Sequence, residues 1–207
     1  MSQFFQIHAE NPQIRLIRQA ADRLREGGVI VYPTDSGYAL GCLIGNKEAI
    51  DRIRALRQLD DKHHFTLVCR DLAEIASYAK VGNSTYRLLK KLTPGAYTFI
   101  LTATREVPRR LQHPKRKTIG IRVPSNAIAL ALLAELGEPM MSTTLILPGE
   151  ELPLTDPYEF RNQLERQVDL IIDGGYGDLE STTVIDLVDE TPVLLRQGKG
   201  ETQSIGL

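Results

Sequence analysis

Between residues 33 and 38 the chain reads Pro-Thr-Asp-Ser-Gly-Tyr. Thr34, Ser36 and Tyr38 bring hydroxyls and Asp35 a carboxylate. Such groups can donate to an anion or accept from an amine. The segment lies between two stretches with strand character, a common place for ligand-binding residues. The same residues also suit a β-turn in which Asp and Ser bond their own backbone.

Basic residues fall in two groups. Arg52, Arg54, Arg57, Lys62 and Arg70 cluster over residues 52–70, flanked by Asp51, Asp60 and Asp61. Arg105, Arg109, Arg110, Lys115, Arg116 and Lys117 crowd an irregular stretch that holds one acid, Glu106. A local basic surface can follow a phosphate backbone even when the whole chain is close to neutral. A solvated surface balanced by acids from elsewhere would read the same way.

Three further segments could hold an anion. In Lys117–Pro124, KTIGIRVP, Arg122 stands among β-branched residues. Facing inward, it needs a carboxylate or phosphate partner; facing outward, it needs none. Ser142-Thr143-Thr144 is echoed by Ser181-Thr182-Thr183, and hydroxyls at strand ends can serve phosphate or carboxylate, though Thr is also a plain strand former. Arg196, in LLRQG, sits at the end of the last apolar run. No Walker phosphate loop, dinucleotide glycine fingerprint or nucleophile elbow is present. His63-His64 are neighbours that point opposite ways on extended chain, a poor metal pair.

The elements that must position these residues are legible from periodicity. Asn11-Pro12 suggests the start of a helix with Ile14, Ile17, Ala21 and Leu24 on one stripe, stopped at Gly27-Gly28. Strands are expected at 29–32, 38–43, 65–69, 97–103, 117–123, 140–147, 168–172, 182–187 and 192–196, with 33–37 a turn. Helices are expected at 46–59, from Asp71 to Tyr78, from Asn83 or Ser84 to Leu92, at 125–136 and at 157–167. Strands that follow one another directly, at 29–43 and 182–196, imply a mixed sheet with helices on its faces.

Of the 207 residues, 42% are hydrophobic and 25% charged, which describes an ordinary globular chain able to bury a core. Net charge is −1, so no global field draws the chain to nucleic acid or to an anionic membrane. Cys42 and Cys69 lie in apolar runs and read as reduced core thiols. The N-terminal residues lack a signal-peptide pattern, and no apolar run could cross a bilayer, so a cytoplasmic protein without membrane partner is expected.

The strings GGVIVYPTDSGYALG (27–41), LTPGAYTFIL (92–101), KTIGIRVPS (117–125), STT (142–144), VDLIIDGG (168–175), STTVIDL (181–187) and LLRQG (194–198) together resemble the YrdC/YciO family, whose members include threonylcarbamoyl-AMP synthases, and most of all its YciO branch. The resemblance runs along nearly the whole chain in one order. It implies one domain over 1–207 with a YrdC/RibB-like, three-layered α+β fold: a twisted mixed sheet of about seven strands flanked by helices, with a concave basic face. It further implies binding of ATP or AMP, with Mg²⁺ carried by the nucleotide, and of double-stranded RNA or tRNA. In the synthases, threonine, bicarbonate and ATP give threonylcarbamoyl-AMP for tRNA modification, a nucleotidyltransferase chemistry.

By the same resemblance, Thr34, Ser36, Tyr38 and Arg122 serve the threonine part, and Arg57, Thr144, Thr182 and Arg196 the nucleotide. Arg52, Arg54, Arg105, Arg109, Arg110, Lys115, Arg116 and Lys117 would face RNA. The sequence departs from the family pattern in places: Leu59 replaces an arginine and Ile146 an asparagine. Arg57 stands where the family has lysine, and Pro148 where it has serine. Each lost hydrogen bond to a phosphate is worth about 1.5–3 kcal/mol where charge assists it. The alternative is therefore an RNA-binding paralogue without efficient synthase activity, acting on rRNA or tRNA.

Overall fold

The computed structural model describes residues 1–60, 63–189 and 191–206. Asp61 and Lys62, named above, lie outside them.

β-Branched and aliphatic runs form the strands. They are β1 (Gln3–Gln6), β2 (Ile30–Thr34), β3 (Gly37–Leu43), β4 (Thr66–Val68), β5 (Tyr97–Thr102), β6 (Thr118–Arg122), β7 (Met140–Thr144), β8 (Leu170–Asp173), β9 (Thr183–Asp186) and β10 (Val193–Arg196). They make one ten-stranded sheet in the order β1-β8-β2-β3-β7-β4-β6-β5-β9-β10. The expected mixed α/β fold with helices on the sheet is present, but the strand number is ten, not about seven. β1 had no sequence expectation at all. Its Phe4 and Phe5 sit between glutamines, and it exists by pairing in parallel with β8. Both direct strand pairs, β2–β3 and β9–β10, are antiparallel hairpins. Pro33 and Thr34 belong to β2, so the expected turn at 33–37 shrinks to Asp35-Ser36.

Among the described residues six α-helices complete the fold: α1 (Ile14–Arg25), α2 (Lys47–Arg57), α3 (Leu72–Tyr78), α4 (Asn83–Leu92), α5 (Ala127–Leu136) and α6 (Pro157–Leu164). Asn46, Asp71, Asn126 and Asp156 cap α2, α3, α5 and α6 through their side chains. Asn11 does not cap α1, which starts at Ile14 after Gln13, and Ile14 is exposed while Ile17, Ala20, Ala21 and Leu24 are buried. Asn83 is the first residue of α4, not its cap.

Helices α1 and α5 pack with Ile30, Tyr32, Ala39, Val68 and Met140 on one face of the sheet. The other face carries α2, α3, α4 and α6 over Val31, Leu40, Leu67, Phe99, Ile121 and Met141. The first face is only half covered. Continuing two residues along the same strands from Val68 and Met140 brings Thr66 and Ser142 onto it, and register places Gly120 of β6 beside Thr66. Both cysteines are free and buried.

Candidate functional site

The uncovered face is a hollow of about 470 Å³. Its floor comes from β3 to β10 and carries the side chains of Thr66, Thr98, Thr118, Ser142, Thr144, Thr182, Ile100 and Val184, with Gly120 among them. A pocket of this size suits a small-molecule ligand. Four contact groups stand around it.

The first group joins the β2–β3 hairpin to the end of β6. Arg122, 7% exposed, forms an ion pair with Asp35 through Nη2 and donates from Nη1 to Ser36 Oγ at 3.1 Å. Asp35 also accepts from the backbone N–H and the hydroxyl of Ser125, each at 3.0 Å. Asp35 therefore does not bond its own turn. Thr34 does that, donating to Gly37 O at 2.7 Å and accepting from Ser36 N at 3.1 Å. Arg122 is thus an inward-facing arginine with an acid partner. Its Nε is the single buried side-chain N or O atom among the described residues without a hydrogen-bond partner. Tyr38 borders the hollow, but its hydroxyl is already paired. It donates to Gly175 O at 2.5 Å and accepts from Gly174 N at 3.1 Å, and burial pushes its pKa far up. Tyr38 shapes the wall and offers no hydroxyl to a ligand.

The second group lies at the end of α2. Arg57 donates from Nε to Ile146 O and from Nη1 to Thr143 Oγ1, both at 2.8 Å. His63 Nε2 lies 3.0 Å from the same Thr143 hydroxyl. Burial lowers the pKa of both Arg57 and His63, and for His63 the Arg57 charge adds to the effect. The partner of Arg57 in the hydroxyl run is Thr143; Thr144, the expected nucleotide contact, is exposed at the rim of the hollow. Ile146 lines the hollow, while Leu59 packs against the core away from it.

The third group is Thr98, Thr182 and Arg196. The two threonine hydroxyls are 2.9 Å apart. Arg196 donates to Thr182 O from Nε and Nη2 and to Thr182 Oγ1 from Nη2. Burial lowers the Arg196 pKa. In the fourth group, the rings of His64 and His113 stack with centroids 5.0 Å apart, and Arg116 pairs with Asp186 at 2.7 Å. His113 Nδ1 accepts from the backbone N–H of Lys115 and Arg116, pinning the basic loop to the hollow.

Sequence reasoning missed His63, His64 and His113 as members of the site. Adjacent histidines were visible, but their value lies in partners 80 and 49 positions away, which no local pattern announces. Among the described residues no group of three His, Cys, Asp or Glu could hold a metal ion.

The basic residues do not form one surface. Arg52 pairs with Asp169 in a separate cleft near Gln3 and Arg23, and Arg54 lies over the Phe65 ring. Arg70 pairs with Asp71. Arg105, Arg109, Arg110, Lys115, Arg116 and Lys117 are exposed on the loop that leads to the hollow, with Arg110 donating to Gly45 O. Among the described residues no helix is long and apolar enough to cross a membrane.

The arginine charges at the hollow differ in kind. Arg122 and Arg116 are compensated by Asp35 and Asp186. Arg57 and Arg196 bond only carbonyl and hydroxyl oxygens, so among the described residues neither has an acid partner. Partly desolvated cations without counter-charges attract anions.

A family model for Sua5, yciO and yrdC, described as "Telomere recombination", matches residues 22–198. The chain is 62% identical over 203 residues to the uncharacterized protein YciO of Escherichia coli (strain K12), with 98% of each covered. The crystal structure of E. coli YciO superposes with a TM-score of 0.93 over 98% of each chain. Identity to the threonylcarbamoyl-AMP synthase of Halorhodospira halophila is 30% over 170 residues, covering 82% of this chain and 88% of the other. The crystal structure of P. abyssi Sua5 complexed with L-threonine shares 26% identity at a TM-score of 0.89, covering 99% of this chain and 60% of that one.

Proposed function

The chain belongs to the Sua5, YciO and YrdC family, and from that premise we propose that its hollow binds a nucleotide together with L-threonine and forms threonylcarbamoyl-AMP, at a rate reduced by the side chain at position 146. The observation that carries this reading is the pair of cations without an acid partner among the described residues, Arg57 and Arg196, on the same hollow as the Arg122 guanidinium. The first two suit phosphate; the last suits a carboxylate oxygen.

Threonine and bicarbonate condense to a carbamate with loss of water. A carbamate oxygen then attacks the α-phosphorus of ATP, the bond to the β-phosphate oxygen breaks, and pyrophosphate leaves. The carbamate is already charged, so the chain's task is to position reactants and stabilise anionic oxygens. Ser36 and Arg122 hold the amino acid, shaped by Thr34 and Tyr38. Arg57, Arg196, Thr144 and Thr182 serve the nucleotide. Mg²⁺ arrives with the phosphates, since no described cluster is built for it.

The test is pyrophosphate release from ATP, threonine and bicarbonate with Mg²⁺, against a control without threonine. Threonine-dependent release supports the reading; release equal to the control removes the synthase step. A second reading rests on the exposed loop, where Arg105, Arg109, Lys115 and Lys117 meet solvent beside the hollow. It makes the chain a binder of structured RNA, tRNA or rRNA, without efficient synthesis. Its mark is binding that weakens steeply with salt.

A further inference from the structure

The stacked rings of His64 and His113 stand at the rim of the hollow, and the synthesis proposed above makes no use of them. Their centroids are 5.0 Å apart and their planes 27° from parallel. A second stacked pair, Tyr97 and Phe99, is explained by packing, because Phe99 is buried in the core. The histidine pair fills no core: His113 is half-buried, and His64, the outer ring, is exposed. Metal binding does not explain the pair either, since among the described residues no third His, Cys, Asp or Glu joins the two.

The inner ring is held in place before any ligand arrives. His113 Nδ1 accepts from the backbone N–H of Lys115 at 3.2 Å and of Arg116 at 3.1 Å, which fixes the ring's orientation. The backbone closes the same turn: Lys117 N donates to His113 O and His113 N to Thr118 O, both at 2.8 Å. Burial, and after it the neighbouring His113, lowers the pKa of His64. At neutral pH the outer ring is therefore uncharged and presents an aromatic face. The surroundings are basic. Arg105, Arg109, Lys115 and Lys117 are exposed, while Arg116 is tied to Asp186 and Arg110 to Gly45 O. The acids close by are Asp60, which acts on His64, and Glu106, which lies beside Arg105.

Cations that can follow phosphates, set beside a ring with an open face, are the features that bind single-stranded nucleic acid. In a duplex each base lies between its neighbours and offers no free face to a side chain. We propose that the His64–His113 pair is a stacking platform for one unpaired base of a structured RNA, whose flanking phosphates run along Arg109, Lys115 and Lys117. The inference rests on the RNA reading above and sharpens it: the chain recognises an unpaired nucleotide, not duplex alone.

The test uses the full chain and two end-labelled RNA duplexes, one fully paired and one identical but for a single bulged adenosine. Fluorescence anisotropy gives affinity, and NMR cross-relaxation between the His64 ring and the bulged base gives contact. The parent chain should bind the bulged duplex about tenfold tighter than the paired one and show the cross-peaks. His64→Ala should remove that preference and leave the paired duplex within about twofold of its parent affinity. His64→Phe keeps a flat ring and should restore the preference. A parent chain that binds both duplexes equally, without cross-peaks, overturns the inference while RNA binding stands. A His64→Ala chain that weakens both duplexes alike also overturns it, as does a His64→Phe chain no better than the alanine variant. Binding to neither duplex overturns the RNA reading itself, and this inference with it.

Discussion

Replacing Arg57 by methionine keeps most of the side chain's bulk and removes its charge. Arg57 is half-buried and holds two neutral acceptors, Ile146 O and Thr143 Oγ1. A unit negative charge about 4 Å away would gain about 4 kcal/mol at an effective dielectric of 20, before desolvation. After desolvation a hydrogen bond from a charged donor is worth about 1.5–3 kcal/mol. Arg57→Met should therefore weaken pyrophosphate binding roughly tenfold to a hundredfold at low salt. It should also raise the pKa of His63, because the Arg57 charge is the second largest cause of its depression, after burial. Calorimetry with pyrophosphate gives the first quantity and an NMR titration of the histidines the second. If the His63 pKa rises and affinity stays within about twofold of the parent chain, the charge was removed without consequence and Arg57 is not an anion holder. If neither changes, a counter-charge already neutralised Arg57, and the division into compensated and uncompensated arginines is wrong.

Asp35→Ala strips Arg122 of its acid partner, the two side chains being 9% exposed each. Urea unfolding should show a loss of about 3 kcal/mol, largely recovered when Arg122→Met is added; no recovery would mean that Asp35 acts through Ser125 instead. His63 and His64 both have pKa values lowered from 6.5, chiefly by burial, so the unfolded chain binds protons that the folded one refuses. Their contribution is complete above the unfolded value and is lost as pH falls below it. His63→Gln with His64→Asn should flatten the fall in melting temperature between about pH 7 and pH 5, and an unchanged slope would exclude them as its source. Changing Arg105, Arg109, Lys115 and Lys117 to alanine should lower the salt slope of RNA binding by about 3 if each meets a phosphate; an unaltered slope would place RNA elsewhere. Ile146→Asn adds an amide to the hollow wall and should raise threonine-dependent pyrophosphate release about threefold to tenfold, whereas no gain would show that position 146 does not limit the reaction.

Local signals carried the helix caps and the long strands. Asn46, Asp71 and Gly137 stand where the sequence says a helix should begin or end. What failed was information not stored locally. β1 is four residues long and is a strand only because β8 lies beside it. Arg122 looked equally able to face water or core until Asp35, 87 positions away, supplied its counter-charge. The hydroxyl run 142–144 was visible as a run. Which member met Arg57 depended on which face of β7 each residue took, and one residue of offset reverses that. The departures at 59 and 146 were legible as types but proved unequal in place: Ile146 borders the hollow and Leu59 does not.

The half-covered sheet explains why binding and stability can be separated in this molecule. Under α1 and α5, the sheet presents Ile30, Tyr32, Val68 and Met140, an apolar surface that must be buried. Beyond the edge of those helices the same face changes to Thr66, Thr98, Thr118, Gly120 and Ser142. Such residues keep the strands paired and do not need a covering layer, since hydroxyls can bond water as well as a ligand. The charges around them are held by elements of the opposite layer and by hairpins: Arg57 by α2, Arg122 by the tip of β2–β3, Arg196 by β9–β10. A substitution on the floor should therefore change what binds without unfolding the chain. A substitution at Asp35 or Arg122 should change both, because that pair is buried and joins the hairpin tip to β6. A floor substitution that melted the protein as readily as one in the α1–α5 layer would refute this division.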